Sequence, residues 1–296
     1  MVAKNRSIER DEATTPFLNE TVDNKLQCLM KRLEFHFFVE IEEQSTGFQC
    51  LFYKNISLTS VKMVSKKSVT MYSLDMYGRP KPVVVPKLCQ DLKTTEDGVY
   101  TINPFGKEIQ VFCDMTRHGG GWTTLQRRFD GSTDFKKYWV YYKEGFGNPD
   151  GEYWIGLENI YQMTNTFQNV MVRIEATALD DRIGYLIFKN FYIDGENVNY
   201  KLHSGSYYEG NYTMRTHWTY HNNMYFSTRD RDNDQYVDSC SNISSGRAGG
   251  WYKSCSMIHL NGNYAETGDG SRFMHWRSLS DRTVLKSISL SIKVEE

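Results

Sequence analysis

From about Val85 to its end this 296-residue chain is expected to form a β-rich, disulfide-bearing domain, and three observations carry that expectation. Beyond the prolines of Arg79-Pro80-Lys81-Pro82 the sequence becomes dense in glycine, aromatics and short β-prone runs. Gly98-Val99-Tyr100-Thr101-Ile102 and Ile109-Gln110-Val111-Phe112-Cys113 alternate as strands around the turn-forming Asn103-Pro104-Phe105-Gly106. Cys89 and Cys113 flank that hairpin and are placed to staple it.

Composition removes several function classes. Lys and Arg number 35 and Asp and Glu 36, a net charge of −1, so no excess of positive charge draws the protein to nucleic acid. Apolar runs are a few residues long, far short of the roughly 20 that span a bilayer, so no membrane insertion is expected. Aromatics make up 14%, with 20 Tyr and 6 Trp, which suits either a tyrosine-rich core or rings presented to a ligand. The six cysteines, Cys28, Cys50, Cys89, Cys113, Cys240 and Cys255, fit three disulfides, and none forms a CxxC pair of the zinc or thioredoxin type. Glycosylation triplets begin at Asn5, Asn19, Asn55, Asn211 and Asn242 and add a vote for secretion. Against it, residues 1–20 are polar and show no signal-peptide pattern.

The chain is expected to divide near residue 84. Residues 1–25 are polar and unpatterned and read as disordered. Residues 26–84 carry β-prone runs at Phe35-His36-Phe37-Phe38-Val39 and Gln49-Cys50-Leu51-Phe52-Tyr53, enough for a hairpin but a thin core. The spacing from Cys28 to Cys50 resembles a PAN or apple module without its inner cysteines, and pairing of these two cysteines is the weaker disulfide expectation. Arg79-Pro80-Lys81-Pro82 reads as a linker. No heptad or Gly-X-Y repeat precedes it, so no coiled-coil or collagen-like stalk is expected, and assembly into a homo-oligomer stays open.

In residues 85–296, Gly119-Gly120-Gly121-Trp122 leads into Arg127-Arg128-Phe129-Asp130-Gly131-Ser132, Asp134-Phe135 and Trp139. Gly151-Glu152-Tyr153-Trp154-Ile155-Gly156-Leu157 follows. Later come Phe226-Ser227-Thr228, Asp230-Arg231-Asp232-Asn233-Asp234, Trp251-Tyr252-Lys253-Ser254-Cys255 and Leu260-Asn261-Gly262-Asn263-Tyr264. This ordered set, over roughly 210 residues, resembles the fibrinogen C-terminal domain of fibrinogen chains, ficolins, tachylectins, tenascins and angiopoietins. The resemblance implies an α+β fold. It would have a small N-terminal subdomain, a central twisted antiparallel sheet with helices, and a loop-rich C-terminal subdomain for calcium and ligand.

By spacing alone, Asp230, Asp232, Asp234 and Asp238 form either a calcium loop or a solvated acidic turn. They do not make an EF-hand, because Gln235 and Ser241 stand where the Gly and the bidentate Glu are required. The resemblance implies calcium as cofactor, with Asp232 and Asp234 as carboxylate ligands and Tyr236 and Asp238 as carbonyl donors. Asp230 is read as an exposed supporting charge. Cys240 and Cys255 bracket the loop leading to the ligand region and are expected to pair, which in the chain-entropy model is worth roughly 3 kcal/mol for such a loop.

In sugar-binding relatives the pocket adjoins this second cysteine, whose preceding peptide bond is cis. The resemblance thus places ligand contacts at Trp251, Ser254, Cys255, Ser256 and Phe273, with a cis Ser254-Cys255 bond. Three departures bear on specificity: Ser256 stands where a His is usual, the tandem Trp before the cysteine is reduced to Gly250-Trp251, and Arg272-Phe273-Met274-His275-Trp276 replaces an Asn-Gly-Ile-Asn-Trp run. The implied function is a secreted, calcium-dependent lectin for acetylated carbohydrate or glycoprotein in innate defence. The alternative is a protein-binding module of the angiopoietin or tenascin kind, without a sugar pocket.

Catalysis finds no support. Gly119-Gly120-Gly121 lacks the pattern of a phosphate loop and reads as a turn. His217 and His221 have zinc-site spacing, but Trp218 occupies the place of the catalytic Glu, and both read as surface histidines. No G-x-S-x-G elbow is present.

Overall fold

In the computed structural model the protein divides into two units, Met1–Val85 and Pro86–Glu296. The structure describes residues 85–295 apart from 212–213, 244–245, 269 and 281–283, and before them only the backbone of six strands. In the first unit β1 (Leu18–Val22), β3 (Gly47–Tyr53) and β2 (Phe38–Gln44) form one antiparallel sheet in that order. A second sheet has the order β4 (Val61–Val64), β5 (Val69–Leu74), β6 (Pro80–Val83). Two sequence expectations need correction. Strand β1 lies in the segment read as disordered, its backbone paired with β3 from Leu18 opposite Phe52 to Val22 opposite Phe48. Strand β6 occupies the supposed linker, where Pro82 faces Tyr72 and Pro80 faces Leu74. Proline is tolerated there because β6 is an edge strand, whose outward positions need no donor. The Cys28–Cys50 pairing and the PAN or apple resemblance lie outside the described residues.

The second unit is built on a nine-stranded antiparallel sheet. Strands β7 (Gly98–Ile102) and β8 (Ile109–Asp114) form the expected hairpin, with Gly98 opposite Cys113. The Cys89–Cys113 disulfide spans it, with Cα atoms 5.5 Å apart. Strand β9 (Trp122–Arg128) takes β8 on its first half. Its second half pairs with the short hairpin of β10 (Phe146–Gly147) and β11 (Tyr153–Trp154). Between β8 and β9 the tight turn at Gly119–Gly121 needs glycine, since a Cβ on Gly120 (φ 62°) would lie 2.1 Å from the Met115 carbonyl.

The sheet continues through β21 (Leu285–Val294), β12 (Val170–Ala178), β13 (Ile183–Phe188) and the edge strand β16 (Tyr207–Gly210). Valine, isoleucine and leucine alternate along β12 and β21, so Val172, Ile174, Ile288, Leu290 and Ile292 face one core. Onto it packs the helix Leu157–Thr166 through Leu157, Ile160 and Met163, whose spacing makes one apolar stripe. The opposite residues of β12 cannot face water unpaired. Arg173 pairs with buried Asp114, and Glu175 accepts from Arg117 and from His118 at 2.6 Å.

After β13 the backbone becomes irregular. Small two-residue pairs, β14 (Tyr192–Ile193) with β15 (Leu202–His203), β17 (Phe226–Ser227) with β18 (Gly250–Trp251), and β19 (Ile258–His259) with β20 (His275–Trp276), carry the loops. Short helices lie at Trp139–Glu144, Arg215–Thr219, Cys240–Ile243 and Arg277–Ser280. The mostly sheet architecture with few helices is the α+β arrangement expected from the sequence.

Candidate functional site

The acidic loop grows out of β17. Thr228 and Arg231 exchange backbone hydrogen bonds at 2.9 and 3.0 Å, closing a turn that directs Asp230 back toward the domain. Its Oδ1 accepts from the Trp139 N–H at 2.9 Å and the Thr228 hydroxyl at 2.7 Å. Asp230 thus satisfies a free donor at the start of the Trp139–Glu144 helix, a structural task beyond that of an exposed charge. Asn233 anchors the loop to β17 by donating from Nδ2 to the Phe226 carbonyl at 2.7 Å.

Asp232 is exposed and Asp234 half-buried. The Asp234 N–H donates to Asp232 Oδ1 at 3.3 Å. Asp234 in turn accepts from the Tyr236 N–H at 2.9 Å and the Cys240 N–H at 2.8 Å. Burial raises the Asp234 carboxyl above its ordinary range and the neighbouring Asp232 adds to the rise, although the two backbone donors oppose it. Tyr236 and Asp238 sit exposed on the same loop. Two adjoining carboxylates whose joint ionisation is unfavourable, in an oxygen-rich loop, are chemistry that a hard cation would relieve. Among the described residues no group of three or more His, Cys, Asp or Glu side chains converges, so further ligands would have to be carbonyls or water.

The Cys240–Cys255 disulfide forms, with Cα atoms 5.1 Å apart, and the Gln235 N–H donates to the Lys253 carbonyl at 2.9 Å. The acidic loop and the loop around Cys255 are therefore one crosslinked body. Around Cys255, however, the expected sugar contacts are not brought together. Trp251 is turned inward, its Nε1 donating to the Tyr200 carbonyl at 2.8 Å and its ring 5.0 Å from that of Phe226. The Ser254–Cys255 bond is trans, and Cys255 itself takes a left-handed conformation at φ 60°. Ser254 is exposed, with its N–H and carbonyl both engaged by the Tyr220 hydroxyl at 3.3 and 3.2 Å. The Ser256 hydroxyl is sealed from solvent with no partner among the described residues. A cavity walled by Trp218, His221, Trp251 and His259, with Trp251 the one expected contact among its lining residues, holds about 20 Å³. That is room for about one water molecule, against the several hundred Å³ of an ordinary ligand pocket.

His221 closes it. Its Nδ1–H donates to the Trp251 carbonyl at 2.7 Å, and its Nε2 accepts from the N–H groups of Met257 at 3.3 Å and Ile258 at 3.1 Å. Burial lowers its pKa to about 4, so it is a neutral core residue and not the surface histidine expected. His217 is half-buried, 3.2 Å from the Ser278 hydroxyl.

Phe273 lies elsewhere. With Tyr264, Asn263, Asp134 and Lys136 it lines an open cleft of about 380 Å³ whose far wall is the loop Gly131 to Lys136. That loop is cast around Glu152, which is fully buried. Glu152 accepts from the N–H groups of Phe129, Asp130 and Gly131 at 2.7, 3.0 and 2.9 Å and of Thr133 at 3.2 Å, and pairs with Arg128 at 3.2 Å. A Cβ on Gly131 (φ 74°) would meet the Tyr264 ring at 2.7 Å, so glycine lets the two walls close. Sequence reasoning reaches these motifs but assigns them no wall, since only the fold brings 131–136 to 263–273.

The family model for the C-terminal globular domain of fibrinogen beta and gamma chains matches residues 85–295. Microfibril-associated glycoprotein 4 of Mus musculus is 38% identical over 189 residues, covering 60% of this chain and 72% of that protein. Angiopoietin-2 of Canis lupus familiaris is 36% identical over 191 residues, covering 62% of this chain. Tenascin-R of Gallus gallus is 39% identical over 188 residues, again 62% of this chain. The chain spans only 38% and 13% of the lengths of those last two. Among solved structures, the fibrinogen-like globe domain of human ANGPTL6 superposes with a TM-score of 0.67 at 32% identity, over 73% of this chain and 98% of that one. A lamprey fibrin D-dimer complexed with the peptide Gly-His-Arg-Pro-amide gives 0.63 at 30% identity, over 71% and 74%.

Proposed function

The protein belongs to the family defined by the C-terminal globular domain of fibrinogen beta and gamma chains, and from that premise we propose that it is an extracellular recognition module for a protein partner. The observation that carries the reading is the exchange of pockets. Of the residues expected to contact an acetylated sugar, Trp251 is turned into the core and the Ser256 hydroxyl is sealed from solvent, while Phe273 lines a cleft that is open. Its walls offer a carboxylate (Asp134), an ammonium (Lys136) and two aromatic rings (Tyr264, Phe273), a mixture suited to a short polypeptide segment. The fibrin D-dimer supports this by analogy, since that protein was bound to a four-residue peptide. Relatives named as angiopoietin, tenascin and microfibril-associated protein point toward signalling or matrix contexts. No described helix is long and apolar enough to cross a membrane.

The lectin reading, with acetylated sugar as ligand and a role in innate defence, keeps less support, because Ser256 and Trp251 offer a ligand nothing. One comparison separates the two. Panning a displayed peptide library on the full chain should enrich a sequence whose binding falls at least about tenfold in Phe273→Asp, a loss of about 1.4 kcal/mol. Glycan-array binding that free N-acetylglucosamine abolishes, and that Phe273→Asp leaves intact, would instead restore the lectin.

Calcium is the cofactor this reading assigns to Asp232 and Asp234, with the Tyr236 and Asp238 carbonyls. Because Asp234 titrates above the usual range, its ionised form costs the folded state stability as pH rises through that range, and a bound cation offsets the cost. Calcium at a hundredfold excess over Kd should then add about 2.7 kcal/mol at neutral pH. Thermal melts with and without chelator should show that gain in the wild type, little in Asp232→Ala, and less as acid protonates Asp234. Equal chelator sensitivity in both proteins would place the ion elsewhere.

A further inference from the structure

We propose that the outer face of the sheet carries a site for one tetrahedral oxyanion, sulfate or phosphate, centred on Arg127. Across β12, β21 and β9 the register sets Glu175 opposite Ser289 and Ser289 opposite Arg127, so the three side chains stand in one row on one face. Ser287, two residues along β21, stands on the same face. These four residues, with Arg117 and Phe129, line a cleft of about 170 Å³.

Arg127 is the unusual member. Its guanidinium is half-buried, held 4.0 Å from the Phe112 ring and 4.7 Å from the Phe129 ring. Its neighbours Arg117, Arg128 and Arg173 each have a carboxylate within ion-pairing distance. Arg127 has none among the described residues, and Asp150 and Asp114 act on it only at longer range. Burial and Arg117 both disfavour its charge, yet a guanidinium does not deprotonate in a protein. A fixed, partly desolvated cation without a counter-ion is a standing cost that an anion would relieve.

The geometry favours a tetrahedral anion over a carboxylate. The guanidinium fork can take two oxygens, and the Ser287 and Ser289 hydroxyls, which make no hydrogen bond among the described residues, can donate to others. Glu175 also faces the cleft, but its charge is held by Arg117 and by His118 at 2.6 Å, and it limits the site to one anion. A net charge of −1 for the whole sequence fits a local site of this kind and no polyanion-binding face.

Calorimetric titration of the full chain with inorganic sulfate and inorganic phosphate, at ionic strength matched with chloride, tests this. The wild type should show saturable binding, at least about tenfold weaker in Arg127→Gln. Ser289→Asp places a carboxylate between Arg127 and Glu175 and should abolish binding in a protein that still melts cooperatively, which decides the matter if Arg127→Gln fails to fold. Glucosamine 6-sulfate binding more tightly than glucosamine 6-phosphate would name a sulfated glycan as the source, and the reverse order a phosphate ester. Unsaturable binding by the wild type, or equal affinity in the wild type and Ser289→Asp, overturns the proposal.

Discussion

Glu152→Ala should destabilise the Pro86–Glu296 unit by about 3–5 kcal/mol, the usual loss when one partner of a buried ion pair is removed. The carboxylate sits at zero exposure with Arg128 beside it, itself almost wholly buried, so deletion leaves a guanidinium with no counter-charge. It also strands four backbone N–H groups, those of Phe129, Asp130, Gly131 and Thr133. Glu152→Gln keeps an acceptor for the three that meet Oε1 but loses the charge facing Arg128, and should fall between. Urea unfolding of the three proteins should rank wild type above Gln above Ala. A loss below about 1 kcal/mol in the alanine variant would mean that water takes over the carboxylate's role. The consequence reaches function, because the same loop walls the Phe273 cleft: in Glu152→Gln peptide binding should weaken while the domain stays folded.

What the sequence made legible was local. The hairpin of β7 and β8 and the Cys89–Cys113 and Cys240–Cys255 bridges follow from alternation, turn residues and short separations, all of which act between neighbours. The acidic loop was legible for the same reason, since Asp230, Asp232 and Asp234 lie within five residues. Pro80-Lys81-Pro82 misled because an edge strand and an extended linker ask the same φ of proline, and only the position of β5 separates them. The ligand region misled for a different reason. Whether Trp251 turns toward solvent or toward Phe226 is a question of side-chain direction, decided by partners such as Tyr200 that stand 51 residues away. Glu152 stood in plain sight within Gly151-Glu152-Tyr153-Trp154, but nothing in that run announces four donors from residues 129–133. Arg127 likewise gave no signal, because its lack of a carboxylate partner exists only once β9, β21 and β12 lie side by side.

Acid should weaken the second unit from about pH 6.5 downward, before most of its carboxylates titrate, because two histidines are buried neutral. Burial lowers His221 to about 4 and His259 to about 3, with His275 adding to both. For His221 the geometry demands the neutral form, since a proton on Nε2 would face the N–H groups of Met257 and Ile258 that it now accepts. His259 directs Nδ1–H toward the Ser271 and Phe273 carbonyls, both at 3.1 Å, and sets Nε2 3.0 Å from the Tyr252 hydroxyl. The sign follows from linkage. In the unfolded state each imidazole takes up a proton near pH 6.5, but in the folded state only near pH 4 or 3. Their stabilisation is therefore complete above pH 6.5 and is lost progressively as pH falls toward those values. His221 alone accounts for about 3 kcal/mol by pH 4, and the pair for a slope of about 2.7 kcal/mol per pH unit near pH 5. Unfolding followed by calorimetry at pH 5, in buffers of different ionisation enthalpy, should show uptake of about two protons, falling by about one in His221→Gln. Identical uptake in the variant would show that His221 is already protonated in the fold. The bond it donates to Trp251 would then survive acid, and the strand beside Cys255 would not be where the domain begins to open.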